Sequence, residues 1–313
     1  MTPKRPVFFL YFLYLINVFL FGSSWMFNKI VLNEGAGPVW SAALRQGVAA
    51  LVFLIVYLIR KPLIRPNRKE LILILLYGIC MLALAHVFSF MGQQYLYSGL
   101  ASIIFSIFPI LILLISGVLM PRREPLTLMK ILGSIIGFSG IILIFYSRDI
   151  ALSDSTSWKG ILLVLLAVFV NAVPNVLIKR DGKNIDPLIL NVGGMLAAVL
   201  FLFPFALLTE GLPRFPLTPV LILAELYLGI FCSALAFFLY FYLLRKISVF
   251  KMSLSAYLTP LVAVFLGYVF FAEKLSVNHY IGMILIMTGI FITGIRHARK
   301  PRTKTLQERH FGS

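Results

Sequence analysis

The chain has 313 residues, of which 60% are hydrophobic and only 12% charged, and its mean hydropathy is +0.98. Soluble domains average about 25% charged residues, so 28 bases and 11 acids are too few to cover a soluble globule, and the chain reads as an integral membrane protein. The net charge of +17 falls in short runs beside apolar stretches, where retention of Lys and Arg on the cytoplasmic side explains it better than a nucleic-acid surface.

A helix crosses the hydrocarbon with about 20 apolar residues, and uncharged runs of that order follow one another along the chain. The first, residues 7–28, comes after Lys4 and Arg5. It is too long for a signal-peptide core and no small-residue cleavage site follows it, so it is read as a retained span. Residues 38–59 form a second span interrupted only by Arg45. Residues 71–121 hold two spans, divided at the polar turn Gly92-Gln93-Gln94, and residues 131–147 hold the fifth. Residues 160–178, 187–209, 219–244 (with Glu225 its single charge), 252–272 and 275–295 complete ten. The predicted fold class is all-α, a polytopic membrane protein with ten transmembrane helices. Cys80 and Cys232 both lie inside apolar runs, which excludes a disulfide framework.

Charge placement tests this count. With the N-terminus inside, the inner segments, both termini included, hold 22 of the 28 Lys and Arg residues. The alternation holds across all ten spans and predicts that both termini face the cytoplasm.

The two halves resemble each other. After the fourth span comes Glu124, followed by Gly133 and Gly140; after the ninth comes Glu273, followed by Gly282 and Gly289 at the same spacings. Pro109 and Pro260 sit inside the spans before those acids, and Lys29 and Pro38 match Lys179 and Pro187. Five spans is an odd number, so the copies must face opposite ways across the bilayer: two inverted five-helix repeats. Such repeats recur in secondary transporters, where exchanging their conformations alternates access to a shared site.

On these residues the chain resembles the drug/metabolite transporter superfamily, in its ten-helix branch built from two EamA repeats. The resemblance rests on Trp25, Lys29, Pro38 and Arg45 in the first half. In the second it rests on Pro260, on Ala272-Glu273-Lys274-Leu275-Ser276, and on Gly282 and Gly289. Its implied boundaries are residues 8–148 and 156–297 for the repeats, with a basic cytoplasmic tail over 298–313. It implies a carrier whose central cavity is lined by helices 1–4 and 6–9, with helices 5 and 10 peripheral. A small-molecule substrate and membrane lipid are the expected partners of a monomer or homodimer. The expected location is the inner (cytoplasmic) membrane.

Ionisable groups inside a span cost about 2.5–3.5 kcal/mol on insertion scales and are functional candidates by default. Arg45, Glu225 and His86 share the outer third of the membrane. Arg45 and Glu225 either form a structural ion pair, with Arg45 free to snorkel outward, or flank the cavity and take an anionic group and an amine or proton. His86 is either a packing residue or a proton relay. Nearer the midplane lie Asn17, Asn171, Asn175 and Tyr257, either interhelical hydrogen-bond partners or cargo contacts; Trp25 joins the candidate binding set. Pro109, Pro174 and Pro260 are either hinges or static kinks satisfied by nearby Ser and Thr. Gly133 and Gly137 form a GxxxG in the fifth span, expected to pack a helix within the chain or across a dimer.

The sequence carries no GxxxxGK[ST] phosphate loop, no paired carboxylates and no Gly-x-Ser-x-Gly elbow. No cofactor or metal is expected and an enzyme reading lacks residues to carry it. Export of small metabolites such as amino acids or amphipathic compounds is the leading expectation, downhill, by exchange or proton-coupled. Its alternatives are an importer or exchanger of a sugar-linked or phosphorylated solute, and a non-transporting membrane component.

Overall fold

The computed structural model describes residues 7–60, 66–120, 127–145, 157–246 and 255–294. Among them are ten apolar helical segments and no strand. These are α1 (Val7–Asn33), α2 (Pro38–Arg60), α3 (Arg68–Gln93), α4 (Ser98–Leu119) and α5 (Leu128–Phe145). The second half holds α6 (Ser157–Asp181), α7 (Pro187–Thr209), α8 (Pro219–Leu243), α9 (Ser255–Phe271) and α10 (Val277–Gly294). Seven of the ten are long and apolar enough to cross a membrane over their described lengths, and α5, α9 and α10 are shorter apolar helices. The protein is a multi-pass membrane protein.

The starts of these helices are written locally. Thr218 accepts the Leu221 N–H at the start of α8 and Asp186 accepts the Leu188 N–H at the start of α7, each just before a first-turn proline. Such caps satisfy N–H groups that have no partner inside the helix. Asn67 and Glu70 cap α3 reciprocally.

Contacts between helix ends show the inversion. The Glu34 carboxylate just past α1 accepts the Thr218 hydroxyl at the start of α8, and Lys29 near the end of α1 donates to the Gln93 and Leu96 carbonyls after α3. Glu273, just past α9, caps the start of α4, and Gly160 near the start of α6 packs against Leu96 and Tyr95. All of these lie at one end of the bundle, the far end, opposite Val7. Thus α1 ends where its counterpart α6 begins.

Helices α5 and α10 pack on each other through the glycines that mark the repeat. A Cβ at Gly140 would meet the Gly282 carbonyl and a Cβ at Gly289 would meet the Gly133 carbonyl and the Gly137 backbone. The GxxxG of α5 therefore serves a contact within the chain, close enough to exclude side chains. Glu124 lies outside the described residues. Apolar side chains such as Phe8, Phe19, Ile55, Leu200, Leu208 and Phe265 stand exposed along the outer surface, the faces that lipid covers.

Candidate functional site

Two π-helical segments occupy equivalent places in the repeats: Tyr77–Leu84 within α3 and Leu228–Leu235 within α8, displaced by 151 residues. The Ala85 N–H reaches back five residues to the Cys80 carbonyl, and the Ala236 N–H to the Phe231 carbonyl. The wider turn shifts neighbouring carbonyls out of the ordinary ladder, where side chains can reach them. His86 Nδ1 lies 3.2 Å from the Met81 carbonyl and Gln46 Nε2 donates to the Leu82 carbonyl at 3.1 Å. Arg45 Nη2 donates to the Cys232 carbonyl, the repeat counterpart of Met81, at 3.2 Å.

Arg45 is held from three directions. Besides Cys232, its Nε donates to Ser233 Oγ at 2.7 Å and its Nη1 to Asn28 Oδ1 at 3.1 Å. The residue is 2% exposed, so its guanidinium is buried with neutral partners. Glu225 on α8 is also buried, forms no ion pair with Arg45, and has no hydrogen-bond partner at either carboxylate oxygen.

A cavity of about 160 Å³ occupies the centre of the bundle. Arg45 and Asn28 lie toward its far end, and Ser255, the first residue of α9, lies toward the other. Aromatic side chains form two walls: Trp25, Phe105 and Phe108 on one, with centroids 5.3 and 5.8 Å apart in succession, and Phe21, Phe237 and Tyr240 on the other. Among the described residues, helices α1–α4, α6, α8 and α9 supply the lining, and α5 and α10 supply none of it. The resemblance implied that helix 7 would join them, but α7 stands behind the wall: Tyr77 on α3 donates to Asn191 of α7 at 3.0 Å, and Gly193 and Gly194 pack on Ile74 and Tyr77.

Of the candidate residues, Arg45, His86, Asn171, Asn175 and Trp25 meet at this cavity. Asn175 donates to the Tyr240 hydroxyl at 3.4 Å, while Asn171 Oδ1 is buried without a partner. Asn17 is fully buried off the cavity and donates to the Ala236 carbonyl at 2.7 Å, tying α1 to α8. Glu225 is not on the cavity wall, and the Tyr257 side chain lies outside the described residues. Pro109 follows an interruption of α4 between Phe105 and Phe108, whereas α6 and α9 run through Pro174 and Pro260. Pro260 lines the cavity.

Sequence reasoning passed over Asn28, Ser102, Phe105, Phe108, Phe237 and Tyr240 as lining residues. It marked Lys29 and Glu273 only as repeat residues and passed over Glu34 and Glu210, and so missed the contacts by which these four tie off the far end. Glu210, just past α7, accepts the Val39 and Trp40 N–H groups at 2.8 and 3.0 Å, capping α2 across the repeats. Trp40 Nε1 donates to the Gly211 carbonyl at 3.0 Å. Glu273 accepts from Ser98 N and Oγ, both at 2.8 Å, and from Gly99 N at 3.1 Å, so the acid of the repeat signature is a helix cap supplied from the other half.

Comparison with known proteins adds identity to this geometry. A family model described as the EamA-like transporter family matches residues 8–146 and again 158–295. The chain is 26% identical over 285 residues to a Bacillus subtilis protein named uncharacterized transporter YoaV, covering 90% of this chain and 95% of that one. It is 29% identical over 287 residues to Protein PagO of Salmonella typhimurium, covering 90% and 91%. A solved crystal structure overlays 91% of this chain and 96% of its own with a TM-score of 0.65 at 18% identity, a likeness of fold.

Proposed function

Because the chain belongs to the EamA-like transporter family, we propose that it is a secondary carrier exporting small metabolites, amino acids or other amphipathic compounds, by alternating access. The observation that carries this reading is a cavity walled by both repeats, which extends from Asn28 and Arg45 toward Ser255 at the near end. The other end is tied off by contacts between the repeats. The distribution of Lys and Arg supports a reading in which the near end faces the cytoplasm and the protein sits in the inner membrane. The geometry then corresponds to an inward-facing state, and exchanging the conformations of the repeats opens the far end. Export is the direction that the resemblance to drug/metabolite transporters favours. A phosphorylated cargo fits less well, because Arg45 is the one permanent cation among the described lining residues.

Without a nucleotide-binding loop, energy for uphill movement must come from a second gradient. Glu225 is the candidate proton carrier, a buried carboxylate with no donor to either oxygen. The break before Pro109, together with Pro174 and Pro260, supplies the candidate hinges.

The test is a cysteine at position 171 (Asn171→Cys) in a background lacking Cys80 and Cys232. Labelling by membrane-impermeant reagents from the near side in one condition and from the far side in another is expected. Absence of labelling from both sides would mean a packed core that transports nothing. A metabolite survey of cells with and without the protein supplies cargo for proteoliposome assays. There, Glu225→Gln is expected to abolish the component of transport that follows an imposed pH gradient and to spare counterflow.

A further inference from the structure

We propose that this cavity, taken as the cargo site of the carrier reading above on which the proposal rests, selects amphipathic organic anions over zwitterions and cations. The cargo has a carboxylate or sulfonate at one end of a flat apolar body and a hydrogen-bond donor at the other. Three independent features of the cavity lead to this class.

The first is its charge inventory. Twenty described residues line the cavity, and among them are Arg45 and the imidazole of His86 but no Asp or Glu. A guanidinium carries five N–H donors, and Arg45 spends three of them, on Ser233, Asn28 and the Cys232 carbonyl. Those contacts fix its orientation and leave one N–H on each terminal nitrogen unspent. The buried acid of α8, Glu225, is close enough to feel the Arg45 charge, but it accepts no hydrogen bond from it and does not line the cavity. A buried cation with neutral partners and spare donors is a site for an anion, where charge-assisted hydrogen bonds are strongest.

The second is the pair of polar atoms with no partner. Ser102 Oγ and Asn171 Oδ1 are both buried and unbonded, and both residues line the cavity. Ser102 is 2% exposed and Asn171 8%. Counted from helix starts at the far end, Ser102 lies about 6 Å deep and Arg45 about 10 Å, so they share one level; Asn171 lies about 10 Å deeper than Arg45. The Ser102 hydroxyl can donate to the same anionic group as Arg45. The Asn171 side-chain carbonyl, which can only accept, is the atom left without a partner, and a donor at the other end of the cargo would satisfy it.

The third is what lies between. The Trp25–Phe105–Phe108 wall and the Phe21–Phe237–Tyr240 wall offer ring faces to a flat apolar body. Ring faces also attract cations, and the sign of the preference is set by Arg45. At an effective dielectric of about 20, a cation about 10 Å from Arg45, at the other end of the cavity, costs on the order of tenfold in affinity. An ammonium beside the carboxylate, as in a zwitterion, lies closer and costs more.

The probes are four molecules with one ring and different charge: 3-(4-hydroxyphenyl)propionate, tyrosine, tyramine and 4-ethylphenol, titrated calorimetrically into the detergent-purified full chain. The propionate is expected to bind at least tenfold more tightly than tyrosine, with tyramine weakest. Arg45→Gln is expected to reduce propionate affinity at least tenfold and to level the series. Removing the phenol hydroxyl (3-phenylpropionate) is expected to cost several-fold in the wild type and nothing further in Asn171→Ala. Equal or tighter binding of tyrosine or tyramine, or no binding by any of the four, overturns the proposal, and this arm needs no variant to fold. Cysteine labelling at position 171 separates the two readings. Labelling from alternate sides without anion preference leaves the carrier standing and removes the cargo class. Anion preference without alternate labelling leaves the cargo class and removes the carrier.

Discussion

Helices α2 and α7 hold the same position in the two repeats, each 23 residues long and each beginning with proline, yet their surroundings differ at both places that matter. At the start, α7 is capped by its own preceding residue, Asp186, whereas α2 is preceded by Gly37 and takes its cap from Glu210 at the end of α7. Seven residues further on, α2 carries Arg45 at the cavity and α7 carries Gly194, pressed against the Tyr77 ring. The repeat preserves the frame while its side chains have diverged. The divergence places Arg45, the one permanent cation among the described lining residues, on a single side, and makes one helix cap depend on the approach of the other repeat.

The sharpest way to break this comparison is at Gly194. A Cβ there would land on the Tyr77 ring, with Leu82 behind it, and Tyr77 is fully buried and anchored to Asn191. Gly194→Leu is expected to cost about 3 kcal/mol through overpacking. It should show as a large fall in thermal stability in detergent, with misfolded protein at 37 °C. If Gly194→Leu melts with the wild type, α7 is not the packed strut that its contacts describe.

The frame was legible in the sequence for physical reasons that do not extend to the side-chain contacts. Span length and flanking charge mark each crossing, so residues 187–209 were expected as a helix and form one with those limits. Rotation of each helix was not legible, because lipid and core are both apolar and no face is marked. Only their flanking of Pro174 set Asn171 and Asn175 apart from Asn17, which ties α1 to α8 while Asn171 lines the cavity. The trans caps join residues some 170 positions apart, as in Val39 with Glu210, and no local pattern announces them. The π-segments did leave a trace. Gly78-Ile79 and Ala83-Leu84 recur as Gly229-Ile230 and Ala234-Leu235, one repeat later at the same spacing.

A second, smaller effect is expected at Glu210. Its carboxylate accepts two N–H groups of α2 and lies where a Cβ on Gly37 would intrude. These bonds exist only while the end of α7 meets the start of α2, so under the proposed alternating access they stabilise the far-end-closed state specifically. Glu210→Ala is expected to shift the balance toward far-end opening by about 2 kcal/mol, on the order of 30-fold in the conformational ratio. The measurement is the rate of far-side labelling of a cysteine at position 171. An unchanged rate would mean that the Glu210 cap contributes nothing to closure.

The smallest effect completes the comparison. Asp186 bonds Leu188 N at 2.7 Å, two residues away on its own chain. A cap of that kind travels with its helix through any rigid movement of the repeats, so it stabilises both conformations alike. Asp186→Ala is expected to cost about 1 kcal/mol of stability and to leave the far-side labelling rate at position 171 as it is in the wild type. Glu210→Ala should show the reverse signature, a changed labelling rate beside a modest change in melting temperature. Should Asp186→Ala alter labelling as strongly as Glu210→Ala, the start of α7 moves during opening as well. The distinction between a cap that belongs to one helix and a cap shared between repeats would then carry no conformational meaning.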